Sequence, residues 1–230
     1  MAAVHSSSRS PHDAGAHTPG PTRLVWVRHG EADNNAEQRF GGWSDLGLTA
    51  RGRAQAAAAG QAVASLAPTA IVASDLPRAA ETARAIAGAA GLEVAFDLRL
   101  RERSLGVFDG LRFTDAERRD PVAYARLLAR DPDAVPDGGE RLATVFARVG
   151  AAVDDLVAAH PGGRVVVVSH GIALFHAFSH VCGLGCPGPD QQVFTLVDNA
   201  SLSHLEHRVE AGRPRWRIVA WNRVDHLAGL

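Results

Sequence analysis

Short apolar runs and helical repeats alternate along this chain and predict its frame. Leu24–Val27 and Ala70–Ala73 are wholly apolar, and Arg164–Val168 is the most strongly β-favouring stretch. Such runs predict strands buried on both faces of a sheet. Glu93–Asp97 predicts a further strand. Thr49 caps an Ala-rich helix that ends near Pro68. Ser74 and Asp75 stand where caps belong ahead of a second helix, with Pro77 and Arg78 in its first turn and Gly91 at its end. Leu142, Val145, Val149, Val153, Leu156 and Val157 recur at helical spacing, so one face of a long helix meets the core. His160-Pro161-Gly162-Gly163 ends it, and Ser169-His170-Gly171 leads from the next strand into another helix. Val193–Val197, Ser201–His207 and Trp216–Trp221 read as strands, the last two as an antiparallel hairpin. This rhythm predicts an α/β protein, a three-layer α/β/α sandwich on a mostly parallel sheet with an antiparallel edge.

Arg103 to about Gly139 breaks the rhythm and reads as a lid insertion, its helix starting at Thr114 with Glu117 three residues on. Residues 1–22 are rich in Ser, His, Pro and Gly and lack a hydrophobic segment, so a disordered tail is expected, with His5, His12 and His17 solvated. Residues 23–230 then form one domain. The whole chain has 230 residues, enough for a single large α/β core.

Charge narrows the partners. Lys+Arg of 24 against Asp+Glu of 25 gives a net charge of -1, which speaks against nucleic acid as a partner. No apolar run approaches the roughly 20 residues that span a bilayer, so no membrane partner is expected. Cys182 and Cys186 imply no disulfide framework, and a cytoplasmic location is the expectation. Both are read as small buried hydrophobes. His176 and His180 have zinc-pair spacing without an intervening glutamate or third ligand, so they are read as structural.

The chemistry sits at strand ends. Arg28, His29 and Gly30 follow the first strand, and open α/β sheets bind ligands at the carboxyl ends of their strands. A histidine beside a fixed guanidinium suggests a nucleophile next to an anion, most naturally phosphate. His170-Gly171 follows another strand in the same way and opens a helix, whose free N–H groups favour anions. Arg78 follows a third strand. These four side chains are expected to converge on one oxyanion.

Arg28-His29-Gly30-Glu31, Asn35, Leu48-Thr49 with Gly52 and Gln55, and Ser74–Ala83 resemble the histidine phosphatase superfamily, also called phosphoglycerate-mutase-like. Leu100-Arg101-Glu102, Gly106, Gly110, Gly138-Gly139-Glu140 and Val168–Gly171 continue the match in order, over roughly residues 23–222. The resemblance implies a phosphoglycerate-mutase-like fold with His29 as nucleophile and a phosphohistidine intermediate. It implies Arg28, Asn35, Arg78 and His170 as phosphate ligands, Glu102 as general acid and base, and no metal or other cofactor. Glu31 and Glu140 are the competing carboxylates.

Within the superfamily, Arg39-Phe40-Gly41-Gly42-Trp43 is similar to the mutases. Leu105–Gly110 is similar to the phosphatases, which lack the longer mutase insertion. The phosphatase branch is the expectation, with a phosphoglycerate-type mutase as the alternative. The substrate would be a small-molecule phosphate ester such as a sugar phosphate or phosphoglycerate derivative. Arg39, Phe40, Trp43 and Arg112, with lid residues Arg103 and Phe113, are the candidate substrate-pocket residues. A homodimer is left open.

Overall fold

The computed structural model describes residues 20–129, 131–186 and 193–230. Its strands are β1 (Thr22–Arg28), β2 (Ala70–Ala73), β3 (Val94–Phe96), β4 (Arg164–Ser169), β5 (Leu202–Glu210) and β6 (Arg213–Arg223). They form one six-stranded sheet in the order β3-β2-β4-β1-β5-β6. The pairs β2–β3, β2–β4 and β1–β4 are parallel, while β1–β5 and β5–β6 are antiparallel. The helices are a single turn α1 (Asp33–Ala36), then α2 (Ala50–Ala64), α3 (Pro77–Ala90), α4 (Phe113–Arg119), α5 (Pro121–Leu128), α6 (Leu142–Ala159) and α7 (Gly171–Val181).

Strand alternation distributes the core to both sides of the sheet. Leu24 and Trp26 of β1 and Val165 and Val167 of β4 pack with Val145, Val149 and Val153 of α6 and Leu174 of α7. Val25, Val27, Val166 and Val168 pack with Val63 of α2 and Ala83 and Ile86 of α3. A fully buried aliphatic side chain is worth roughly 1.5–3 kcal/mol, so β1 and β4, buried on both faces, anchor the sandwich. Among the described residues no helix is long and apolar enough to cross a membrane.

Several expectations are corrected. Ser74 and Asp75 do not cap α3. Leu76 precedes it without a side-chain bond, and Pro77, which has no N–H to satisfy, holds the first position. Ser74 and Asp75 are drawn instead to His170 and Arg101. The lid helix begins at Phe113, not Thr114. Phe113 packs on Phe40 at 4.7 Å and donates its N–H to the Gln38 carbonyl, so a tertiary contact sets the start.

Residues 193–197 form no strand. The end of the segment is committed elsewhere, since Val197 packs onto the core and gives its carbonyl to Arg28. Cys182 and Cys186 are exposed, because they lie at and beyond the C-cap of α7, past its buried stripe. The tail expected over 1–22 falls outside the described residues except for its last three, of which Thr22 already opens β1.

Candidate active site

Sheet register brings the two histidines together. β1 and β4 are parallel neighbours with Arg28 opposite Ser169, so the residues that follow, His29 and His170, emerge side by side. Their ring centroids are 5.1 Å apart. Gly30 makes the turn after β1 possible, since a Cβ there would stand 2.4 Å from the Gly52 carbonyl oxygen. Gly52 is equally constrained, with a Cβ 1.8 Å from the Glu31 carbonyl oxygen. The Gly30 N–H donates to Thr82 Oγ1 at 3.1 Å, locking this turn to α3.

His29 is 3 % exposed and donates its Nδ1–H to the Gly30 carbonyl at 2.7 Å, which leaves the lone pair on Nε2. Burial holds its pKa well below the usual histidine value, and the Arg78 and Arg28 guanidiniums push the same way. The imidazole is therefore neutral, the form that can attack. His170 is fully buried. Its Nε2 meets Ser74 Oγ at 2.8 Å, while Ser74 Oγ also accepts the Leu76 N–H. With the Ser74 hydrogen directed at Nε2, the proton sits on Nδ1, a buried atom with no partner among the described residues. Burial, then Arg78, keeps His170 neutral too.

Arg28 NH1 donates to the Val197 carbonyl at 2.6 Å, and its buried Nε has no partner among the described residues. Arg78 is 1 % exposed. It donates NH2 to the Gly42 carbonyl at 2.8 Å and NH1 to the Ser44 carbonyl at 3.3 Å, and its Nε likewise has no partner among the described residues. Burial lowers both guanidinium pKa values and Glu102 pulls them back up, yet an arginine remains a cation. Three orphaned donors close to His29 form a cradle for an oxyanion.

The amide of Asn35 is oriented by its oxygen, which accepts the Ala32 N–H at 3.1 Å and Asn199 Nδ2 at 3.3 Å. That fixes the Asn35 Nδ2 as its remaining donor. Glu102 Oε1 accepts the Arg103 N–H at 2.8 Å, and Oε2 accepts the Ile172 N–H in the first turn of α7 at 3.2 Å. A Cβ on Gly171 would lie 3.8 Å from Arg28 Nε and 4.0 Å from Glu102 Oε2, so the carboxylate and the guanidinium share one corner.

The competing carboxylates are engaged elsewhere. Glu31 Oε1 accepts from Thr49 Oγ1 at 2.8 Å, at the start of α2. Glu140 is bridged by Arg148 at 3.0 and 2.9 Å.

The candidate pocket residues divide. Trp43 is 40 % exposed, donates Nε1 to the Glu102 carbonyl at 2.7 Å and carries the Arg101 guanidinium 4.8 Å from its ring centroid. It stands at the site. Phe40 is packed against Phe108, Phe113 and Tyr124, fastening its loop to the lid. Arg39 and Arg112 meet on Glu37 at 2.8 and 3.1 Å. Arg103 is buried, with Nε on the Glu140 carbonyl and NH2 on the Ala134 carbonyl, so its guanidinium ties its own segment to those two and is turned away from solvent.

Sequence reasoning missed three positions. Asn199 Nδ2 donates to the His29 carbonyl at 3.1 Å, and Ala200, at φ 58, donates its N–H to the carbonyls of Arg28 and His29. Arg148 grips the segment that carries Glu102. Nothing in their spacing distinguishes them from ordinary turn and helix residues. Among the described residues no three potential metal ligands cluster, and His180 pairs with Asp154 while His176 lies buried against Phe146 and Phe175.

Burial of neutral histidines makes stability depend on pH. His29 and His170 titrate well below 6.5 in the fold, and burial pushes His176 down to about 4. Below about pH 6.5 the unfolded chain takes up protons that the fold refuses, so stability is complete above that pH. It should drain by up to about 1.4 kcal/mol per pH unit for each such histidine as the pH falls toward the folded-state values. Urea unfolding at pH 7.5 and 5.5 should show this decline. In His176→Leu the decline should be smaller by about 1 kcal/mol, and an unchanged decline would contradict the assignment.

Comparison with known proteins comes to the same place. Residues 24–224 match the histidine phosphatase superfamily, branch 1. The chain is 38 % identical over 209 residues to a probable phosphoglycerate mutase, GpmB, of Enterobacter sp. (strain 638), covering 90 % of this chain and 92 % of the relative. It is 35 % identical over 210 residues to the protein of the same name in Salmonella typhi, covering 89 % and 94 %. Among solved structures, a mycobacterial glucosyl-3-phosphoglycerate phosphatase in complex with VO3 superposes with a TM-score of 0.77 at 35 % identity, covering 88 % of this chain and 99 % of that one. YhfR of Bacillus stearothermophilus gives a TM-score of 0.79 at 29 % identity, covering 90 % and 99 %.

Proposed function

We infer, for a chain that belongs to the histidine phosphatase superfamily, a metal-independent phosphomonoesterase that passes the phosphoryl group of a small phosphorylated metabolite to His29 and then to water. The observation that carries this reading is the cluster of buried donors without a partner among the described residues, Arg28 Nε, Arg78 Nε and His170 Nδ1, around a neutral histidine with its lone pair on Nε2. His29 Nε2 attacks phosphorus and forms the N–P bond as the ester P–O bond breaks. Glu102 gives its proton to the departing alkoxide. The ionised Glu102 then takes a proton from water, whose oxygen attacks phosphorus, and the N–P bond breaks to release phosphate and neutral His29. Arg28, Arg78, His170 and the Asn35 Nδ2 hold the equatorial oxygens throughout, where the charge is spread.

The substrate class follows the neighbours. A sugar phosphate or phosphoglycerate derivative agrees with the mycobacterial phosphatase, which carries glucosyl-3-phosphoglycerate in its name. The protein works in the cytoplasm on this reading, its two cysteines implying no disulfide framework. The names of the curated relatives favour a second reading, a mutase that returns the phosphoryl group to a sugar acid.

Phosphate release from a panel of phosphorylated metabolites, run with and without 2,3-bisphosphoglycerate, separates the two. Release that does not need the bisphosphate and survives EDTA is expected. Transfer between the positions of phosphoglycerate without release would establish the mutase. Activity lost on chelation and restored by a divalent ion would end the metal-independent reading.

A further inference from the structure

The segment that carries Glu102 belongs to no ladder. It leaves the 3-10 turn Leu98–Leu100, and residues 102–105 form no helix or strand. A general acid must nevertheless be held to within a fraction of an ångström of the leaving oxygen. Arg148, projecting from α6 with its side chain 15 % exposed, takes hold of this stretch. Its NH1 donates to the carbonyls of Arg99 at 2.7 Å and Arg101 at 2.6 Å, and its NH2 donates to the Glu102 carbonyl at 2.8 Å. Nε and NH2 also bind the two carboxylate oxygens of Glu140 at 3.0 and 2.9 Å. Glu140 continues the grip beyond Glu102, its Oε2 accepting the Ser104 N–H and its own N–H donating to the Ser104 carbonyl, both at 2.9 Å.

We infer that the Arg148–Glu140 ion pair is the positioning device of the general acid, clamping the backbone on both sides of Glu102 so that its carboxyl faces the leaving group. The inference rests on the reading of Glu102 as that acid. A largely buried ion pair is a poor source of net stability, because desolvation offsets much of its attraction. Its geometric value is higher. The planar guanidinium fork fixes three carbonyl oxygens and a carboxylate in one plane, which an ammonium cannot do. Neither residue is given a contact with the phosphoryl group. Trp43 Nε1 shares the Glu102 carbonyl, Ser169 Oγ holds the Leu100 carbonyl, Asp75 holds Arg101 and Asp109 holds Ser104 and Leu105, but none of these spans the backbone on both sides of Glu102 as the ion pair does.

The test compares two leaving groups. Phosphoenzyme formation is followed by rapid quench with p-nitrophenyl phosphate, whose phenolate departs unaided, and with glycerol 2-phosphate, whose alkoxide needs a proton. Glu102→Gln should lose about 10²–10⁴ with the glycerol ester and much less with the nitrophenyl ester. Arg148→Lys should lose about 10- to 100-fold with the glycerol ester, the cost of a misplaced group, and under about three-fold with the nitrophenyl ester. The double variant should be no slower than Glu102→Gln alone, since a displaced acid cannot be lost twice. Glu140→Gln should show the same ratio between the esters and supplies the result if Arg148→Lys does not fold. Equal losses for both esters, or losses that multiply in the double variant, overturn the inference. If Glu102→Gln itself shows no dependence on the leaving group, the acid assignment fails instead, which is a different result.

Discussion

His29→Ala should be a folded protein without turnover, slower by on the order of 10⁴–10⁶, the scale on which loss of a nucleophile acts. The fold should tolerate the change because the native imidazole is neutral, so no unpaired charge is left behind. Two further results are expected from the same position. Mixing native enzyme with a radiolabelled phosphate ester and quenching within milliseconds should trap a phosphoprotein that is stable in base and labile in acid, as a phosphoramidate is. His29→Ala should trap none. An acid-stable adduct, or substantial turnover by the variant, removes His29 from the role. On the proposed reading the attacking atom is Nε2. Nδ1 is committed to the Gly30 carbonyl at 2.7 Å, so phosphorylation should fall on Nε2, which phosphorus NMR can distinguish.

Arg78→Lys should lose about 10²–10³ in kcat/KM, the effect of removing one oriented donor from an oxyanion site. The side chain does two jobs at once. It ties the loop at Gly42 and Ser44 to the start of α3 and still offers an unpartnered Nε near the two histidines. A lysine carries the charge to the same region, but its donors radiate from one nitrogen and cannot reproduce the planar fork by which Arg78 NH1 and NH2 hold two carbonyls while Nε is left for a phosphate oxygen. Raised KM together with lowered kcat is therefore expected, with a modest fall in stability from the released loop. Near-normal kinetics with the same fall in stability would reduce Arg78 to a loop anchor.

The parts legible in the sequence are those in which local pattern and tertiary role agree. Ala70–Ala73 coincides with β2, and Thr49 caps α2 by accepting the Gly52 N–H at 3.0 Å. His29 and His170 were readable as neighbours because each follows a buried strand, and parallel pairing aligns strand ends. Legibility fails where a residue serves a distant partner. Ser74 has every local mark of a helix cap, yet its hydroxyl is turned to His170 across the sheet. Phe40 looks like a pocket residue from its loop and is claimed by three aromatic rings of the lid region. Residues 193–197 have strand composition, but Val197 is claimed by the core and by the Arg28 guanidinium, tertiary partners that no local pattern records. Arg148 and Asn199 act through backbone carbonyls far along the chain, and such acceptors leave no mark on residue type.

The place of β4 in the sheet has a consequence for how the protein is made. It lies between β2 and β1, and it is the only strand joining them. A growing chain that has emerged as far as α6 therefore holds the β2–β3 pair apart from β1, whose neighbours β4 and β5 are both still to be made. Pairing Arg28 with Ser169 requires a segment of the chain synthesised far later. At about 5–20 residues per second the wait is roughly 10–30 s, long enough for an uncovered β-edge to meet another chain. The proposed site cannot be complete before the same strand, since His170 is the residue that follows it, and Val197, Asn199 and Ala200, which hold Arg28 and His29, come later still. Until the ribosome has delivered β4, the nascent protein is at once inactive and most exposed to aggregation.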